Sequence, residues 1–289
     1  MLQLFTDTDC DVTPEVAKEY GYELISMPYS IDGKTVYPYV DFDEFKPHEF
    51  YEQLRGGVLP NTSAISREKY VEIFEPYFER GFDIFYVHFS RAMSASFDAM
   101  DQAVNELKER YPGRKFWEVD TKGITIPSLN IVYEVGDMIK AGRTVEEIIK
   151  WAETEVDRFA TYFFADDLKF FKHSGRVSGL AATMGTLLGV RPIICMNDEG
   201  KMVSVGKERG RARAVERLLA YVDELGDDVK SHRVIVGNSD AEDIADEIEA
   251  RLKEKYGNDL RVLKVPVNPT AGSHCGPNTV GVCFHAKHR

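Results

Sequence analysis

The segment FDIFYVH (residues 82–88) is an apolar run that ends in the polar loop FSRAMSAS, and a helical stretch over 94–110 follows it. The same order of strand, polar loop and helix appears twice more. Residues 2–6 form a short buried strand; beyond its polar turn, Thr13-Pro14-Glu15 gives a capping residue, a proline at the first helical position and an acid in the first turn. That helix runs to about Tyr20 and stops at Gly21. The strand 115–119 leads through DTKGIT into a helix over 127–140 that ends near Gly142. Strands alternating with helices in this way imply βαβ units, hence an α/β fold with a mainly parallel sheet and helices on both faces.

The other elements of the first half fit this frame. A second strand is expected over 24–27 with a turn at IDGK, then helices over 47–54 and 66–77, the latter ended or kinked by Pro76. Thr144-Val-Glu-Glu147 is a capping box for a helix to about Asp157. Beyond about Phe159 the rhythm changes. Strand-like segments at 162–165, 190–196, 202–205, 233–236, 261–265 and 280–284 outnumber the helices expected over 178–188, 211–225 and 241–256. The second half therefore reads as an α+β unit with a more mixed sheet. With 289 residues, two modest domains are expected, over 1–160 and 161–289.

Charge narrows the function classes. Lys and Arg number 36 against 48 Asp and Glu, a formal charge of −12. Such a surface repels phosphate backbones and anionic membranes, so no nucleic acid partner is expected. No apolar run approaches the length of a membrane span, so stable membrane insertion is not expected either. The four cysteines (Cys10, Cys195, Cys275, Cys283) show no paired spacing. A reduced, cytoplasmic protein is the expectation.

Ligands of open α/β sheets bind beyond the carboxyl ends of the strands. Three such ends give TDTDCD, FSRAMSAS and DTKGIT, and PNTSAIS (60–66) precedes a helix. If these loops share one sheet edge, they form a single polar mouth. Ser94 stands at an expected helix start, where it either caps its helix or helps bind an anion. Thr62 and Ser63 carry the same two readings. The alternating acids of TDTDCDVT lack the glycine and the distant Glu of an EF-hand, and no paired histidines accompany them. They read as acceptors bracing a strand-to-helix turn. Two segments are locally basic: KHSGR (172–176), and 201–217, which carries Lys201, Lys207, Arg209, Arg211, Arg213 and Arg217. Each is either a solvated face or a patch for phosphate or an acidic partner. GSHCGP (272–277) reads as a tight loop between strands. On such an extended loop His274 and Cys275 point apart, so His274 holds a ligand or braces the fold.

Together, FTDTDCDVT, PNTSAIS, FSRAMSASF, FFKHSGRVSG, LLGVRPII with DEGKMVSVGKERGRARA, and GSHCGPNTVGV resemble, in order and over essentially the whole chain, the DegV family of bacterial fatty-acid-binding proteins. The resemblance implies two α/β domains with a fatty acid at or near their interface, no cofactor, and no catalysis in isolation. It implies a partner, the ATP-binding subunit of a fatty acid kinase, that converts the presented fatty acid to acyl phosphate for phospholipid synthesis. Carried over by motif, Thr62, Ser94 and His274 would bind the carboxylate, and Arg176 and Arg209 would serve phosphotransfer or kinase docking. The chain departs from the family pattern at Thr8, at Ala64-Ile65-Ser66, and at Arg91 and Ala95; Arg91 either pairs with the carboxylate or lies in solvent. Small residues over 178–185 either leave room for an acyl chain or pack closely against another helix. The competing reading is a serine-dependent esterase or acyl transferase using Ser94 with His274, against which stands the lack of a G-x-S-x-G elbow.

Overall fold

The computed structural model describes residues 1–176 and 189–289. The helix expected over 178–188 and the small residues of 178–185 lie outside the described residues. The first half contains β1 (Leu2–Asp7), β2 (Tyr22–Ile25), three short strands β3 (Tyr29–Ile31), β4 (Lys34–Val36) and β5 (Asn61–Thr62), then β6 (Asp83–His88) and β7 (Phe116–Asp120). Four of these form a sheet in the order β2-β1-β6-β7, with every pairing parallel. Ile84 through His88 are buried, as a central parallel strand covered on both faces requires.

The helix starts follow the local chemistry. Thr13 Oγ1 accepts the Val16 N–H at 3.4 Å with Pro14 at the first turn. Thr144 and Glu147 complete a reciprocal capping box. Pro76 does not end its helix, which runs Arg67–Glu79. Tyr70, Phe74 and Phe78 are buried along it, and the Phe74 ring meets Phe5 edge-on at 5.3 Å. Packing on the sheet outweighs the one hydrogen bond that proline removes.

The second half contains β8 (Phe159–Phe164), β9 (Val190–Met196), β10 (Met202–Arg209), β11 (Val234–Asn238), β12 (Val262–Pro266) and β13 (Val280–His285). They form one sheet in the order β10-β9-β8-β13-β11-β12. Only β11 and β12 pair in parallel, so the sheet is mixed. The expected class, a parallel α/β sheet followed by a more mixed one, is the observed one. β10 is longer than expected: a bulge between Ser204 and Gly206 carries the pairing on to Arg209.

Two features differ from the sequence reading. IDGK is not merely a turn; it joins β3 to β4, with Asp32 (φ 51) and Gly33 (φ 76) in the left-handed conformation favoured by tight hairpins. β5 completes a small third sheet. The segment holding His274 and Cys275 is a helix, Pro269–Cys275, rather than an extended loop. Asn268 caps it by accepting the Ala271 N–H at 2.9 Å, and Pro269 sits at its first turn.

The helix Ile126–Lys140 joins the two halves. Leu129, Ile131, Val132 and Val135 are buried in the first core, while Asn130 Nδ2 donates to the Arg233 carbonyl at 3.0 Å. Its first residue lies against the mixed sheet: a Cβ on Gly237 would sit 2.6 Å from Ile126 Cγ2. Further bonds cross between the halves, with Ser90 Oγ donating to Gly200 O (2.8 Å) and Tyr51 OH to Val267 O (2.9 Å).

Candidate ligand-binding site

The loops following β1 and β6, the segment after β5 and the Pro269–Cys275 helix converge on a polar cavity of about 220 Å³. Thr62, Ser63, Ser94, Arg176 and His274 all line it, together with Asp9 and Ile124 of the loop after β7. Four of the five sequence-predicted residues are thus brought together. Arg209 is not: it is the exposed last residue of β10, paired in register with Val190.

Each side chain is set by its element. Ser94 does not begin its helix, which runs Ser96–Arg110; Ser94 is extended (φ −150, ψ 137) at the end of a short 3₁₀ turn. Its Oγ still accepts the Ser96 N–H (3.1 Å) and also donates to Ser96 Oγ (2.9 Å), which in turn accepts the Ile65 N–H (3.0 Å). The hydroxyl relay therefore pins the 61–66 segment to the helix start. Thr62 Oγ1 lies 3.2 Å from His274 Nε2. Burial, then the nearby Arg176 charge, pushes the His274 pKa down to about 3, so the imidazole is neutral at ordinary pH. Its Nδ1 has no hydrogen-bond partner among the described residues. Arg176 donates to the carbonyls of Ser174 (2.7 Å) and Met93 (3.4 Å), which holds its guanidinium across the cavity's flank. Arg91 takes neither role open to it in the sequence. It bonds Glu118 at 3.0 Å, pairs with Asp101, and lies over the Phe97 ring.

The acids of TDTDCDVT diverge because the chain leaves β1 for a 3₁₀ turn at Thr8–Cys10, and Asp11 is left-handed (φ 53). Asp7 accepts from Tyr86 OH (3.0 Å) and the Phe89 N–H (3.3 Å). Asp11 accepts from the backbone N–H (2.9 Å) and side chain (2.8 Å) of Asn268. Both brace the wall, and burial pushes their pKa values up to about 6 and about 7. Asp9 differs: it alone of the three lines the cavity, and its side chain makes no hydrogen bond among the described residues, whereas Asp7 and Asp11 each leave one oxygen without a partner. Sequence reasoning treated the three acids alike and missed it; the sequence holds no signal for where the 3₁₀ turn aims the middle one. Among the described residues, the one grouping with metal-ligand spacing is elsewhere, at His48, Glu52 and Asp240, where Arg55 already pairs with both acids.

Met93, Ile124 and His274 also line a second, apolar cavity, walled by the mixed sheet, the loop after β7 and the Pro269–Cys275 helix. Phe163 of β8, Met196 of β9, Met202 of β10 and Phe171 form its sides, and Gly237 and Gly281 its floor. It is an apolar slot with a volume of about 60 Å³. A polar cavity adjoining an apolar slot matches an amphiphile with a small head and an apolar tail.

Residues 1–287 match the family model described as "Uncharacterised protein, DegV family". The chain belongs to the DegV family. A DegV domain-containing protein of Clostridium perfringens is 29% identical over 282 residues, spanning 97% of this chain and 96% of its own. Solved DegV structures share the fold. A DegV family protein from Thermus thermophilus, described for its fatty acid binding, superposes with a TM-score of 0.85 at 23% identity, covering 99% of each chain. A stearic acid-binding protein from Eubacterium ventriosum also gives 0.85, at 22% identity over 99% of each chain. Of the residues in the motifs read from the sequence, Asp9, Thr62, Ser94, Arg176 and His274 line one polar cavity of this fold.

Proposed function

We propose that this protein binds a long-chain fatty acid and presents its carboxylate to an acyl kinase. The carboxylate lies in the polar cavity, held by Thr62, Ser94 and His274, and the acyl chain lies in the apolar slot. The single observation carrying this reading is that the two cavities adjoin, with Met93, Ile124 and His274 in the walls of both. The solved relatives described as fatty acid binding and as stearic acid-binding support it.

Burial gives roughly 0.8 kcal/mol per CH₂, so a dozen methylenes supply about 10 kcal/mol before ordering losses. The head group needs only to orient. Hydroxyls, a neutral imidazole and one guanidinium do that without leaving many charges unpaired when the site is empty. Arg176, already on the cavity's flank, and Arg209, on the exposed end of β10, are the residues assigned to phosphotransfer and to docking the ATP-binding subunit of a fatty acid kinase. The product of that partner is acyl phosphate, the activated form used for phospholipid synthesis, and the setting is the cytoplasm. Among the described residues, no helix is long and apolar enough to cross a membrane.

The esterase reading finds less support. Ser94 Oγ is engaged with Ser96, and His274 Nε2 is directed to Thr62. The test is direct: denature purified protein, extract with solvent, and identify fatty acid by mass spectrometry, then titrate the delipidated protein with palmitate. Co-purifying fatty acid and saturable palmitate binding are expected. No lipid and no palmitate binding would overturn the proposal.

A further inference from the structure

Asp9 is the one acid of the TDTDCDVT turn that neither braces a strand end nor lies outside the cavity. It is 6% exposed, and its backbone is fixed because its carbonyl accepts the Thr125 N–H at 2.7 Å. Its Oδ1 is buried without a partner among the described residues, in the cavity that Thr62, Ser94 and His274 line. A buried carboxylate with an unsatisfied oxygen is unfavourable, and a second carboxylate arriving beside it makes the pair worse. Two carboxyl groups sharing one buried site hold one proton between them.

Resting on the fatty acid reading above, we infer that Asp9 is a head-group residue: its carboxyl and the ligand's carboxylate share a single proton across the polar cavity. A site whose Asp9 is already an acid donates that proton to the incoming anion. A site whose Asp9 is ionised takes one proton from solvent as the anion binds. Either way the complex carries one proton on two carboxyl groups, and the second oxygen of the ligand is left to Thr62, Ser94 and His274. The cavity then selects a carboxylate over an ester or alcohol by offering a carboxylic acid as donor.

The surroundings agree. Burial, then the negative charges of Asp7 and Asp11, hold the Asp9 carboxyl well above the ordinary carboxylate range, with Arg176 opposing. The other ionisable groups near Asp9 are Asp7, Cys10 and Asp11 on its own turn, His274 on the Pro269–Cys275 helix, Arg176, and Tyr70 on the Arg67–Glu79 helix. His274 is neutral throughout the working range. Asp7 and Asp11 titrate near 6 and 7, and their contribution is common to every variant compared below.

The experiment measures affinity of delipidated protein for palmitate and for hexadecanol between pH 6 and 10, in wild type and Asp9→Asn. For wild type, palmitate affinity falls about tenfold per pH unit, beyond any slope seen with hexadecanol, once Asp9 of the empty site ionises. In Asp9→Asn, which carries a permanent N–H donor of the same shape, that extra slope vanishes while palmitate still binds. Parallel wild-type profiles for palmitate and hexadecanol would overturn the inference without needing the variant, as would an Asp9→Asn profile matching wild type; either would mean that Arg176 neutralises the ligand. Failure of both probes to bind wild type at any pH would instead overturn the fatty acid reading itself.

Discussion

The two cavities share Met93, Ile124 and His274 but are built in opposite ways. The polar one is made of contiguous loop motifs whose side chains bond one another, as in the Ile65–Ser96–Ser94 relay and the Thr62–His274 contact. The apolar one takes its residues from many strands and helices, and apart from sheet pairing one side-chain bond is found among its described residues, Thr279 Oγ1 donating to Cys275 O at 3.1 Å. On the proposed function, the difference divides the labour of recognition: the slot would supply non-directional free energy, and the cavity orientation. A change in one region should therefore move affinity, and a change in the other should move selectivity or pH response.

The largest effect is expected on the polar side, and on stability. Asp7 and Asp11 have folded values near 6 and 7 against an ordinary 3.8. A raised carboxyl is the better proton holder in the folded state. Its contribution is full below about pH 4 and is lost as the pH climbs through 6 and then 7. The melting temperature should fall across that window. Asp11→Asn should flatten its own share, roughly 4 kcal/mol from the size of the shift, as thermal melts at stepped pH would show. An unchanged profile would mean that the wall solvates its acids.

Filling the slot comes next. Ala271→Phe places a ring where several methylenes would lie. Palmitate binding should weaken about a hundredfold, the equivalent of three or four methylenes lost, with folding stability reduced by about 1–3 kcal/mol from overpacking. Palmitate titration beside a melt separates the two effects. Wild-type affinity in this variant would place the acyl chain elsewhere.

Removing head-group donors should have a smaller and more selective effect. Thr62→Val with His274→Phe should weaken palmitate by about ten- to hundredfold, the range for hydrogen bonds to a charged group. Hexadecanol, held mainly by its tail, should change far less. Equal losses for both probes would erase the division between the cavities. The smallest effect on binding belongs to Arg209→Glu, on the exposed end of β10. Palmitate affinity should stay within about twofold, while acyl phosphate formation with the kinase subunit drops. A large loss of palmitate affinity would bring Arg209 into the site instead.

The same contrast explains what the sequence disclosed. Elements written in local chemistry were legible: the Thr13-Pro14 start, the Thr144–Glu147 capping box, the apolar run now seen as β6. That Thr62, Ser94, Arg176 and His274 meet at one cavity was legible because each lies in a motif of the DegV pattern. The helix at Pro269–Cys275 was not, since its two glycine-flanked turns lack helical periodicity and depend on the Asn268 cap and on Asn268's bonds to Asp11. The small sheet escaped notice because β5 joins β3 across a long gap in sequence. The slot was not read from any one motif, although His274, Cys275, Thr279 and Gly281 of GSHCGPNTVGV line it. Gly237 and Gly281 matter there only because Ile126 and Phe163 pack where their side chains would stand.

The Ile126–Lys140 helix has a consequence for how the molecule comes apart. It is buried in the first core while bonded to the second half through Asn130 and packed by Ile126 on Gly237. Neither sheet can lose its partner without stripping cover from this helix. Heat or denaturant should therefore melt both halves in one cooperative transition, with matching calorimetric and van't Hoff enthalpies. Slow amide exchange should extend along the helix into both sheets as a single protected unit.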